Sequence, residues 1–139
     1  MISSTRIRWA AAAALAAAAL AALGAAAPAA AAPQSVKSLD VQWASVEPGY
    51  FPPYNGTLTV GGIYTCTEPV GTTVPVSFNA IQVMPVALPN GFGNLPCGPG
   101  VVDVPWSLTS FPTQDVHYGS VSVMTAFDGV LLGAEQFAV

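Results

Sequence analysis

The residues able to do chemistry in this 139-residue chain are few: one histidine, two cysteines, three basic side chains and seven acids. A Ser-His-Asp relay would have to use His117, and Asp115 lies two residues away, on the same face if the segment is a strand. No G-x-S-x-G elbow accompanies them, so the pair reads as an exposed strand histidine beside a turn aspartate. Zinc needs three or four N or S ligands, and one histidine with two cysteines destined for a disulfide does not supply them. Calcium needs clustered oxygens, but Asp40, Glu47, Glu68, Asp103, Asp115, Asp128 and Glu135 are scattered singly. A glycosidase needs two facing carboxylates, and nothing in the spacing selects a pair. The phosphate loop and the dinucleotide fingerprint are absent. The expectation is therefore a non-enzyme with no cofactor and no metal.

The two termini of the chain differ sharply in character. Met1 to Arg8 carries Arg6 and Arg8 and no acid. Trp9 to Ala27 is almost pure alanine with Leu15, Leu20 and Leu23, and small residues follow to Ala32. A basic start, an apolar middle and a small-residue exit form a secretory signal. Residues 1–32 are thus predicted to be a helical, cleaved signal peptide, and residues 33–139 the mature domain. Pro33 is a poor residue to follow the scissile bond, which places the cut after Ala30 or Ala31. The run is long enough to span a membrane, but alanine is weakly apolar and no positive cluster follows. Ile7 separates the two arginines, so the signal is not of the twin-arginine type.

Removing the leader takes both arginines. Residues 33–139 keep Lys37 alone against the seven acids, a net charge of −6 where the full chain has −4. One lysine cannot neutralise a phosphate backbone, which excludes nucleic acid as a partner. Anionic lipid is excluded for the same reason, so no membrane contact is expected after cleavage. In an oxidising compartment Cys66 and Cys97 allow a single disulfide.

These side chains must be carried by strands. Proline and glycine, 13 of each, are spread along the chain, which disfavours long helices. Period-two alternation recurs instead: Leu39–Val41–Trp43, Leu58 to Cys66, Val74 to Ala80, Val102 to Leu108, Val121 to Phe127, and a last strand from Val130. Asp128-Gly129 predicts a type I′ hairpin between the final two. Pro75 and Pro105 cannot donate to a ladder, so their strands are expected at edges or bulged. Trp43 and Trp106 fall on inward faces and are predicted to be core. The fold class is all-β: an Ig-like antiparallel sandwich of about six or seven strands with one disulfide.

Two stretches read as loops. Glu47 to Asn55 is rich in aromatics and prolines, and Pro85 to Gly100 is rich in Pro, Gly and Asn. Tyr50, Phe51 and Tyr54 form a candidate binding loop. The favoured alternative is that they cap one end of the sandwich and bury against it.

The strand Gly56-Thr57-Leu58-Thr59-Val60-Gly61-Gly62-Ile63-Tyr64-Thr65-Cys66, followed by Cys97, Trp106 and Gly119-Ser120-Val121-Ser122-Val123, carries a resemblance. It resembles an uncharacterised family of small secreted proteins from high-GC Gram-positive (actinobacterial) bacteria, over roughly Asp40 to Val139. Gly98-Pro99-Gly100 departs from that family's acidic turn after the second cysteine. The resemblance implies an Ig-like fold and no site residues. The leading functional expectation is a secreted, non-enzymatic domain for extracellular or envelope binding, with a protein or a small molecule as partner. One alternative is a carrier of an apolar small molecule, similar to the apoproteins that hold enediyne chromophores. Another is a secreted protease inhibitor with Pro85–Gly100 as its bait. Both of those classes carry two disulfides, and this chain can form one.

Overall fold

A computed structural model describes residues 34–139. The predicted signal peptide lies outside the described residues.

Nine strands form two antiparallel sheets with no helix among the described residues. They are β1 (Lys37–Glu47), β2 (Asn55–Cys66), β3 (Thr73–Ile81), β4 (Asn90–Pro96), β5 (Val104–Thr109), β6 (Thr113–Gln114), β7 (Ser120–Phe127), β8 (Val130–Leu131) and β9 (Glu135–Ala138). The first sheet runs β1-β2-β5, with β6 extending β2 at one end. The second runs β4-β3-β7, with β8 and β9 both pairing β7. The fourth strand thus sits beside the third. In a constant-type Ig domain the fourth strand lies at the edge of the first sheet.

The alternation read from the sequence builds the core. Leu58, Val60, Tyr64 and Cys66 from β2 meet Val74, Val76, Phe78 and Ala80 from β3 and Val121, Val123 and Phe127 from β7, all buried. Each fully buried aliphatic or aromatic side chain stabilises by roughly 1.5–3 kcal/mol relative to exposure. Asp128 and Gly129 both take positive φ, 52° and 78°, as a type I′ turn requires, and Phe127 pairs with Val130 across them. The last predicted strand is interrupted at residues 132–134 and becomes β8 and β9.

Pro105 lies on β5, an edge, as expected. Pro75 does not: β3 is interior, between β4 and β7. The ladder tolerates it because Val76–Phe127 is the last β3–β7 pair. The Pro75 carbonyl still accepts from Asp128 N at 2.9 Å. Its missing donor therefore falls where β7 has already turned away.

A second expectation is corrected at Pro85–Gly100. Residues 90–96 of that stretch are strand β4, paired along its length with β3 from Asn79–Asn90 to Thr73–Pro96.

The third correction is Trp43. Trp106 is buried at 5 % exposure, but Trp43 is 42 % exposed on the outer face of the first sheet. The β1–β2 register shifts between Val41 and Trp43: Val41 pairs with Gly62 and Trp43 with Gly61, leaving Gln42 unpaired. One extra residue in a strand flips every later side chain to the other face. Ala44 and Val46 then pack toward the core in place of Trp43.

The disulfide Cys66–Cys97 ties the end of β2 to the residue after β4, and so joins the two sheets. Tyr64 donates its hydroxyl to the Pro96 carbonyl at 2.6 Å beside it. At the same end Lys37 Nζ sits 3.0 Å from Glu68 and 2.9 Å from Asp128.

Candidate functional site

Strand directions sort the loops into two poles. The β2–β3 turn, the β4–β5 turn, the disulfide and the Asp128-Gly129 turn lie at one. The β1–β2 loop, the β3–β4 hairpin tip and the β5–β7 connection lie at the other.

Exposed apolar and aromatic side chains gather at that second pole. Tyr50 and Phe51 are 79 % and 83 % exposed, and Tyr54 is also exposed. The expectation that these three bury as an end cap is therefore overturned. The loop is shaped by its backbone. Gly49 packs so closely on residues 54 and 55 that a Cβ there would collide with their backbone, and Tyr54 N donates to Phe51 O at 2.6 Å. The ring side chains point away from this knot. The β3–β4 tip adds Val83, Met84 and Val86, with Met84 92 % exposed, and the β5–β7 connection adds Phe111 and Tyr118.

The three loops are tied to one another. Asp115 N donates to Tyr54 O at 3.2 Å, and β6 pairs Thr113 and Gln114 with Gly56 and Asn55. Phe111 N donates to Asn90 O at 2.9 Å. The strongest tie is Gln82, a fully buried polar side chain. Its Nε2 donates to the His117 carbonyl at 2.6 Å and its Oε1 accepts from the His117 amide at 3.0 Å. Both ends of a buried amide are thereby satisfied, which a buried polar group demands. The Gln82–Ala87 bridge closes the tip above it. Three of the five non-glycine residues with left-handed φ, Tyr54, Met84 and Asp115, belong to these loops. Such conformations persist where surrounding contacts hold them.

The His117 ring meets the main chain of Asp115. The segment is a connection rather than a strand. His117 Nδ1 lies 2.7 Å from the Asp115 backbone carbonyl, so that ring nitrogen is engaged by main chain and not by the carboxylate. Among the described residues no group of three His, Cys, Asp or Glu is arranged to hold a metal.

The cavities are shallow surface grooves. One of about 260 Å³ lies on the outer face of the second sheet between Ile81, Leu88 and Met124. Another of about 310 Å³ lies beside Lys37, Leu39 and Leu132.

Sequence reading placed Tyr50, Phe51 and Tyr54 correctly in one loop. It missed Met84, Phe111, Tyr118 and the anchor Gln82, whose only sequence signal is a polar residue continuing the inward period of β3 after Phe78 and Ala80. Compared with known proteins, the chain matches no family model, no curated protein and no solved structure.

Proposed function

We propose that this chain is a secreted, non-enzymatic binding protein of the extracellular space or envelope, and that its three-loop pole grips a protein partner. Membership of the actinobacterial family it resembles is part of that reading. Secretion is supported by the sequence of residues 1–32 and by the disulfide, which fits an oxidising compartment. The observation that carries the binding surface is the pair Tyr50 and Phe51, about four-fifths exposed on a loop whose neighbours are cross-tied. Large rigid aromatics lose little entropy on contact, and a pre-ordered loop spends little binding energy on ordering. Among the described residues the loops of the pole carry no lysine or arginine, and aromatic centres of low charge are what protein interfaces favour.

The test compares the purified protein with a Tyr50→Ser/Phe51→Ser/Tyr54→Ser variant, each immobilised and exposed to the secreted and envelope proteins of the source cell. The wild type should retain a specific protein, and the variant should lose it tenfold or more with an unchanged melting temperature. Equal retention by the folded variant, or no retention by either, overturns the assignment of the pole.

A further inference from the structure

The outer face of the first sheet holds a second arrangement, independent of the pole. Its centre is the row Trp43–Gly61–Ser107 across β1, β2 and β5. A Cβ on Gly61 would collide with Cζ2 and Cε2 of Trp43, so the indole packs directly against the bare backbone of Gly61. The sheet covers part of the indole, and Trp43 stays 42 % exposed.

Hydroxyls border it on one side. The next row is Ser45–Thr59–Thr109, with Thr59 and Thr109 hydroxyls 2.9 Å apart. The row on the other side is Asp40–Ile63–Pro105, where Gln42 Nε2 donates to Asp40 Oδ2 at 3.0 Å. Ser45, Ser107, Thr109, Asp40 and Gln42 are all exposed.

We propose that this face binds an uncharged saccharide chain, with a sugar ring stacked on Trp43 and its hydroxyls bonded to Ser45, Ser107, Thr109 and the Asp40–Gln42 pair. A pyranose presents an apolar C–H face ringed by hydroxyl donors and acceptors. The sheet presents a complement: a partly exposed indole bordered by side chains that supply donors and acceptors. A protein partner would favour a cluster of large apolar anchors, and this face has one indole, with Ile63 and Pro105 on one side and hydroxyls on the other. Charge selects further. Asp40 and Glu47 lie on this face and, among the described residues, no lysine or arginine does, so an anionic polymer is repelled.

Affinity electrophoresis through gels containing β-1,3-glucan, hydroxyethylcellulose, xylan, galactomannan or glycol chitin, with polygalacturonate as the anionic control, tests the proposal. At least one neutral glycan should retard the protein, and polygalacturonate should not. Trp43→Ala should weaken that binding at least tenfold, and Trp43→Phe should restore part of it. Because Trp43→Ala also uncovers Gly61, the exposed edge substitution Ser107→Arg serves as a second block, expected to abolish retardation with an unchanged melting temperature. The variant lacking Tyr50, Phe51 and Tyr54 should be retarded like the wild type, which separates this face from the pole. Absence of retardation by every neutral glycan, retention of binding in a folded Trp43→Ala or Ser107→Arg protein, or stronger retardation by the polyanion would overturn it.

Discussion

Tyr64 shows how one side chain serves both packing and polarity. Its ring is core, and its hydroxyl crosses between the sheets to the Pro96 carbonyl. Burial pushes the phenol pKa up from its ordinary value of 10.0, because the charged phenolate is poorly solvated there. The unfolded chain then loses its proton before the folded one does. The contribution is complete below pH 10 and falls as pH rises above it, until the folded phenol also ionises. Lys37 acts in the same window. Its pKa is raised by its hydrogen bonds to Asp128 first and Glu68 second, so its contribution is present below 10.5 and lost as pH rises through the folded value. Tyr64→Phe should lower stability at pH 7 by about 1 kcal/mol for the lost hydrogen bond. It should also flatten the fall of melting temperature between pH 9 and 11.5 relative to wild type. Parallel curves for the two proteins would show that Tyr64 is not the group responsible.

Among the elements, β1 and β2 meet at the most demanding contact in the fold. Gly61 and Gly62 are adjacent, mid-strand, and face opposite sides. Gly61 leaves room for Trp43 outside. Gly62 leaves room for the bulged backbone of β1, since a Cβ there would collide with the Asp40 carbonyl oxygen. That same carbonyl accepts from the Trp106 indole nitrogen at 3.1 Å. Backbone cannot yield as a side chain can, so Gly62→Ala is expected to destabilise by about 1–3 kcal/mol through overpacking. Chemical denaturation followed by tryptophan emission checks this, and a midpoint within error of wild type would show that the bulge relaxes freely. A Gly-Gly pair inside an otherwise apolar strand was the available hint of a bulge. It signals that something approaches closely, without saying from which strand or which face.

For the molecule as a whole, the two poles divide the work. One is stapled by the disulfide and by Lys37 between two carboxylates. The other presents loops held by Gln82 and main-chain bonds. The staple closes a loop between residues 31 apart, which in the chain-entropy description stabilises by roughly 3–4 kcal/mol. That is a large share of the 5–15 kcal/mol usual for a domain. The double variant Cys66→Ala/Cys97→Ala should lose about that much in urea denaturation. The protein recovered from its natural host's medium should start near Pro33 and weigh two hydrogens less than its reduced form. A recovered chain that retains Met1, or free thiols, would remove the basis for the secreted reading.

Composition and period-two patterning sufficed for the all-β class, the inward faces of β2, β3 and β7, the Asp128-Gly129 hairpin and the cysteine pairing. These are local or combinatorial facts: alternation reports which side of a strand is buried, and two cysteines pair in one way. Three features needed the tertiary structure. Residues 90–96 became a strand because β3 offered a partner, although Gly91 and Gly93 gave them little strand character of their own. Trp43 turned outward because one unpaired residue shifted the register of β1 against β2. Tyr50 and Phe51 stayed exposed because the loops around them are tied to each other, leaving no opening at that end of the core. In each case the deciding partner lies on another strand or loop, outside the window in which a local period is read.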